Sequence, residues 1–445
     1  MGNGSSALWA LTMHGLVRAV REQRSTCAEI VRAHLKRCAE REPAVQAWEH
    51  LDAERAMAAA EAADARLRGG AAARALEGVP IGVKDIIDVA GMPTRMGSPV
   101  MRGNVASASA QCVARLEAAG AIVLGKTVTT EFAYYTPGKT RNPWNTSHTP
   151  GGSSSGSAAG VACGMIAGAL GSQTNGSVVR PAAFCGVVGY KPSLGAVSSH
   201  GTLDPWPSLD HTGVFARTVA DAALLASIVA EPASGISAEV KTLAAPRFAA
   251  LRSPVWNLAE PAQQEAFREA LARLRAAGAD ITERELPESY RDAHAATRAI
   301  MAREAHAHFG ALRNERGDAM SAQLKQLIDE GAELPDSQYR DALALQHRLK
   351  AQFSEYLAPF DAVITPPAPG EAPATLEQTG SPAFCTLWSL LGVPALNVPM
   401  ALGPAGLPLG LQIVAAYRAE DAALAAAAWC EKVFAFAPLT DRESR

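Results

Sequence analysis

From Thr149 to Val179 the chain carries no charged side chain at all. A run that long belongs inside a membrane or inside a protein core, and deciding between them fixes the class of molecule. Its content decides against the membrane: Gly, Ser and Ala dominate, and the large aliphatics that drive insertion are few. Gly160, Gly164 and Gly168 recur every four residues, which predicts a helix whose smooth face lets another backbone approach. The expectation is therefore a segment sealed within a large protein core.

The remaining composition agrees with a core of that size. The 445 residues are 48% hydrophobic and 19% charged, which excludes disorder for most of the chain. A net charge of −3 with no basic run argues against nucleic acid or an anionic membrane as the main partner. The opening residues lack the basic flank of a secretory signal, so a cytoplasmic location is expected. Seven scattered cysteines without a C-x-x-C pair predict free thiols instead of disulfides or structural zinc. Among the histidines, only Glu304, His306 and His308 cluster, and their spacing points them to different sides of a helix. No metal site is expected.

Periodicity places helices over 27–41, 53–68, 107–119, 218–230 and 419–434. Strands are expected at Val79–Val89, Ala121–Leu124, Arg247–Trp256, Ile281–Leu286, Val363–Pro366 and Ala395–Val398, with Leu407–Val414 folding back antiparallel across a Gly-Pro-Ala-Gly turn. Arg115–Ala121 and Arg273–Ala279 are nearly the same heptapeptide, and each reads as a helix end whose glycine leads into a strand. Residues 288–360 are helical and rather charged, like a lid. These alternations predict an α/β fold with a mixed β-sheet covered by helices on both faces. No linker divides it, so 1–445 is expected to be one domain, with 230–358 a variable, mostly helical cap inserted within it.

Thr149-Pro150-Gly151-Gly152-Ser153-Ser154-Ser155-Gly156-Ser157 has the composition of a flexible linker. Its apolar continuation instead predicts a loop that enters the core, where every hydroxyl needs a partner. Gly152–Gly156 also satisfies G-x-S-x-G, the nucleophile-elbow pattern, with Ser154 as nucleophile; the turn sequence ahead of it is not the strand that motif requires. A second loop runs from Gly171 through Gln173, Thr174, Asn175, Gly176 and Ser177 to Arg180-Pro181. Its small residues allow backbone N–H groups to converge as an oxyanion hole does. No histidine is near Ser177 to act as its base, but a lysine serves once burial removes its charge. Lys84, in the apolar run Val79–Ile87, is the candidate; the competing reading is a structural ion pair with Asp85 or Asp88.

Gly78-Val79-Pro80…Lys84-Asp85, then Gly151-Gly152-Ser153-Ser154-Ser155-Gly156-Ser157, then Gln173…Gly176-Ser177…Arg180-Pro181, taken in this order, closely resemble the amidase signature family. The likeness extends over about residues 10–225 and resumes near Phe360–Pro366, Gly392–Ala395 and Leu407–Gln412. It implies the amidase signature fold and a Ser–Ser–Lys triad: Ser177 as nucleophile, Ser153, following a cis peptide, as proton shuttle, and Lys84 as general base. It implies an oxyanion hole from the N–H groups of Thr174, Asn175, Gly176 and Ser177, and supporting roles for Gly152, Ser154, Gln173 and Arg180. Gln173 stands where many members have Asp, and Asn175 where Gly or Ala is common, adding a side chain near the acyl pocket. Arg180 reads as a loop anchor in preference to a substrate-carboxylate clamp.

The implied reaction is hydrolysis of a small amide through an acyl-enzyme, with no metal or organic cofactor. The expected partner is that small molecule, with no nucleic acid or membrane bound directly and a homodimer as the expected assembly. The alternative is the glutaminase (A-type) component of a tRNA-dependent amidotransferase; a non-catalytic relative is disfavoured by the intact triad. Phe132, Tyr134, Tyr135, Asp204, Trp206 and His211 are weaker pocket candidates, each of which reads as packing or loop scaffold in preference to a specificity contact. Cys185 would suit a thiol nucleophile, but its apolar neighbours suggest an inert core thiol.

Overall fold

The computed structural model describes residues 7–443. Its strands are β1 (Trp48–Leu51), β2 (Pro80–Lys84), β3 (Ile122–Thr127), β4 (Gly168–Gln173), β5 (Val188–Lys191), β6 (His211–Ala216), β7 (Arg247–Arg252), β8 (Asp280–Glu285), β9 (Ala362–Thr365), β10 (Ala395–Leu402) and β11 (Pro408–Val414). They form one eleven-stranded sheet in the order β1-β3-β2-β4-β6-β5-β10-β11-β9-β7-β8. β2 runs parallel to β3 and β4, and β7 to β8 and β9; the other pairings are antiparallel. The sheet is thus mixed, as the alternating pattern predicts. β8 lies at one edge with its charged residues exposed, which discourages pairing with another chain.

The helices are α1 (Met13–Arg21), α2 (Cys27–Val45), α3 (Ala53–Arg68), α4 (Gln111–Ala118), α5 (Ser155–Ala162), α6 (Val179–Cys185), α7 (Val219–Val229), α8 (Pro261–Ala276), α9 (Ala293–Arg316), α10 (Ala322–Glu333), α11 (Asp336–Leu357), α12 (Ala383–Leu390), α13 (Glu420–Phe434) and the short α14 (Leu439–Glu443). Local chemistry sets many of these ends. Thr26 and Glu29 form a reciprocal capping box at the start of α2. α4 and α8 each end just before a glycine in the left-handed region, Gly120 (φ 95°) and Gly278 (φ 102°), and β3 and β8 follow at once. The two similar heptapeptides make the same connection.

Side chains alternate across the sheet. Phe248 and Ala250 of β7 join an apolar cluster with α1–α4, α7, α8 and α13, while Ala249 and Leu251 join a second cluster with α9–α12. Helices therefore cover both faces.

Two expectations need correction. The charge-free run is not one helix: α5 stops at Ala162, Gly164 turns the chain with φ 76°, and β4 begins at Gly168. Its three glycines meet different neighbours, the side chains of Ile166, Trp9 and Met13. Three glycines spaced four residues apart record close approach in three places. Within 230–358 the two expected strands form as β7 and β8 and extend the sheet, and α8 packs on it. Only α9, α10 and α11 form a purely helical layer. β2 is also shorter than expected, ending at Lys84, where a turn begins.

Candidate active site

Parallel pairing of β2 with β4, Val83 opposite Leu170, sets the end of one strand beside the end of the other. Lys84 closes β2 and is wholly buried; its Nζ lies 2.6 Å from Ser153 Oγ and 2.7 Å from Ser172 Oγ. Among the described residues neither Asp85 nor Asp88 pairs with it. Asp85 pairs with buried Lys126 at 3.1 Å instead. The ion-pair reading of Lys84 thus gives way to an amine held by two hydroxyls. Removed from water, an ammonium loses hydration that two neutral hydroxyls do not replace. Burial pulls the Lys84 pKa down to about 7, with the charge of Asp210 acting the other way.

Ser153 follows a cis peptide bond, Gly152–Ser153. The Gly152 carbonyl accepts from Arg180 Nη2 at 2.6 Å, and Arg180 Nη1 donates to the Gly380 carbonyl. No carboxylate among the described residues pairs with this buried guanidinium, which ties α6 to the serine loop and to 380. That is the anchor geometry. Gly152 itself has no room for a side chain: a Cβ would lie 2.7 Å from Thr379 Cγ2.

Ser153 and Ser177 wall the same small cavity. The loop before Ser177 is closed at its base by Gln173, whose Oε1 accepts the N–H groups of Val178 (2.9 Å) and Val179 (3.0 Å), while Nε2 donates to Ser389 Oγ at 3.0 Å. Within that closure the N–H groups of Thr174, Asn175, Gly176 and Ser177 have no protein acceptor among the described residues. Four consecutive donors beside a cavity suit a developing negative charge. The loop is pinned from outside: Thr174 Oγ1 donates to the Asp210 carboxylate, and Ser389 Oγ donates to the Asn175 carbonyl at 2.7 Å. A Cβ on Gly176 would sit 3.0 Å from Pro382 Cβ, so α12 approaches too closely for a larger residue there. The Asn175 amide accepts from Thr386 and reaches the Tyr135 hydroxyl at 3.5 Å.

Other candidates separate clearly. Ser154, the serine an elbow would use, is fully buried and exchanges hydrogen bonds of 3.2 Å with the backbone of Ser172. It fixes β4 and does not line the cavity that Ser153 and Ser177 share. Burial drives the Cys185 thiol well above its ordinary value, and its Sγ contacts the Pro150 carbonyl. All seven cysteines are free and buried. Tyr134 and Tyr135 line the cavity, whereas Phe132, Asp204, Trp206 and His211 do not. His211 is held neutral by burial, its Nδ1 3.1 Å from the Gln173 carbonyl, and the Trp206 indole donates to the Met301 carbonyl at 2.9 Å.

Sequence reasoning missed Ser172, Asp210 and Met301. Ser172 was signalled by position, since it lies on the strand that pairs with β2 beside Lys84. Asp210 is the residue just before β6, where His211 pairs with Gln173, and so faces Thr174 across the end of the ladder. Burial pushes its carboxyl up to about 8 against the hydrogen bond from Thr174. Met301 reaches the cavity from α9, and no local pattern marks it.

Comparison with known proteins places this arrangement. A family model described as Amidase matches residues 29–424. The chain is 35% identical over 456 aligned residues to the A-type component of the glutamyl-tRNA(Gln) amidotransferase of Chloroflexus aggregans, covering 91% of this chain and 92% of that one. The crystal structure of an amidase superposes with a TM-score of 0.87 at 32% identity, over 95% of this chain and 99% of the other. A peptide amidase in complex with the competitive inhibitor chymostatin gives 0.83 at 28% identity, over 95% and 97%. The chain belongs to the amidase signature family, related to the A-type components of these amidotransferases, and is a hydrolase of carbon–nitrogen bonds other than peptide bonds.

Proposed function

We propose that the protein hydrolyses a small amide through an acyl-enzyme on Ser177, with Ser153 as proton shuttle and neutral Lys84 as base. The observation that carries this reading is the fully buried Lys84 amine, paired with no carboxylate among the described residues and 2.6 Å from the Ser153 hydroxyl. Lys84 takes the Ser153 proton as Ser153 takes that of Ser177, and the freed Ser177 Oγ attacks the amide carbon. The carbonyl oxygen becomes an oxyanion held by the N–H groups of Thr174 to Ser177; loss of one such donor typically costs about 10²–10³ in rate. The tetrahedral adduct then expels nitrogen, which receives its proton back from Lys84 through Ser153. Water repeats the sequence on the ester and releases the acid.

Two settings fit this chemistry. The curated relatives favour glutamine as the amide and a role as the A-type component of a tRNA-dependent amidotransferase. The solved neighbours support a stand-alone amidase. Ammonia release by the purified chain from glutamine and from a panel of small primary amides separates them. Turnover of glutamine above the other amides supports the amidotransferase reading. Turnover of another amide with glutamine inert rejects it.

A further inference from the structure

Part of the cavity wall is formed by Ala133, Tyr134 and Tyr135 together with Met301. This wall is not a relaxed loop. Phe132 (φ 45°) and Ala133 (φ 61°) are consecutive non-glycine residues in the left-handed region, a conformation that persists only where surroundings enforce it. The cap provides much of that enforcement. Glu131 accepts the Ser321 N–H at the start of α10. The Phe132 ring lies 5.1 Å from that of Phe309 on α9. The Tyr134 hydroxyl accepts from Arg298 Nη1 at 2.8 Å.

Arg298 is itself fixed. Its Nε and Nη2 both donate to Glu330 on α10, at 2.9 and 2.6 Å, which leaves Nη1 directed at Tyr134. Arginine has no acceptor, so the phenol oxygen must accept this hydrogen bond from Arg298, and the phenol's own O–H stays available. It has no protein acceptor among the described residues. Burial raises the Tyr134 phenol above its ordinary value, so it keeps that proton. Ala133 and Met301 beside it are apolar.

We infer that Tyr134 is a specificity-determining residue of this site, oriented by Arg298 of the cap, and that it selects substrates carrying an oxygen acceptor beyond the scissile amide. The inference rests on the Ser177 reading and narrows its substrate class. Its chemistry is a difference in hydrogen bonding: a donor left unpaired by an apolar substrate disfavours that substrate relative to one that fills it.

A matched pair of amides tests it. Glutaric acid monoamide and 5-methylhexanamide have nearly the same shape, with a carboxylate in one replaced by an isopropyl group in the other. The readout is the ratio of their kcat/KM values or, for an amide that does not turn over, of their constants as competitive inhibitors. The native protein should favour the monoamide by about tenfold or more. Tyr134→Phe and Arg298→Ala should each bring the ratio close to one, and the double variant should lower it no further. Arg298→Lys should recover part of the preference and serves if the alanine variant fails to fold. An unchanged ratio in Tyr134→Phe, or an equal fall on both amides, overturns the inference. Failure of the underlying reading looks different: Ser177→Ala would then still hydrolyse both.

Discussion

Lys84, Ser153, Ser172 and Gln173 are all buried, and each is held by a group from another strand or loop. In the cap, Arg298, Arg303 and Arg313 form their ion pairs while 31–42% exposed. The two regions lie against one cavity but answer to different physics. Around Lys84 burial keeps bulk solvent from replacing a lost partner, so each polar group is fixed by its neighbours and each loss is felt in full. In the cap, solvent competes for these charges, and an individual pair is worth little unless it orients something else. On the reading proposed above, chemistry sits where substitution is expensive, and selectivity where it is cheap.

The sharpest separation should come from the reacting groups. Ser177→Ala and Lys84→Ala should each lower kcat by roughly 10⁴–10⁶-fold, as losses within one catalytic unit do. Circular dichroism should show the fold retained, and a fluorophosphonate probe should no longer label Ser177→Ala. In the native protein, activity should fall as pH drops through about 7, because Lys84 then gains a proton and can no longer accept one. A rate independent of pH across that window would break the contrast, since Lys84 would then be an ordinary cation.

Ser172 tests whether a buried neighbour without a reacting atom behaves like the triad or like the cap. Its hydroxyl can accept an N–H from Lys84, leaving the amine's lone pair for Ser153. Ser172→Ala should reduce kcat by about tenfold to a hundredfold. It should also move the acid limb to lower pH. The sign follows from the hydrogen bond: an acceptor beside Nζ favours the charged form, so its removal makes the proton leave more readily. A fall in rate with the limb unmoved would make Ser172 a packing residue.

What could be read in the sequence divides along the same line. A lysine in an apolar run and a hydroxyl-rich loop ahead of a charge-free stretch are costly unless used, which draws attention to Lys84 and the two serine loops; the resemblance to the amidase signature family is what singles out Ser153 and Ser177 among them. The mixed sheet follows from short apolar runs separated by helices. Gly160, Gly164 and Gly168 misled because close packing demands glycine in turns and strands as much as in helices, and spacing alone does not distinguish them. Met301 and Arg298 were invisible for the opposite reason. Both lie on an ordinary amphipathic helix, α9, and become part of the site only through the long-range packing of α9 against 131–135. Asp210 fell between these cases, since only the register of β4 against β6 brings it to Thr174.

The smallest expected effect lies at the seam between the regions. Glu131 is only 5% exposed, which groups it with the catalytic loops, yet its carboxylate serves the cap. Both oxygens accept from the Ser321 N–H, at 3.3 and 3.1 Å, and one also accepts from Ser98 Oγ at 3.2 Å. Ser321 is the N-cap of α10, so the negative charge lies at the positive end of that helix. Glu131→Gln keeps one acceptor and removes the charge. The expected cost is about 1–2 kcal/mol of stability, the range for a partly buried charge at a helix terminus. It should be read as a lower denaturant midpoint with an unchanged slope. Because the substitution loosens the 131–135 wall without touching Lys84, kcat/KM should fall by less than about tenfold and the acid limb should stay in place. A loss as large as that of Lys84→Ala would mean that the wall shapes the reacting geometry itself, and the boundary between chemistry and selectivity would then have to be redrawn through the cap.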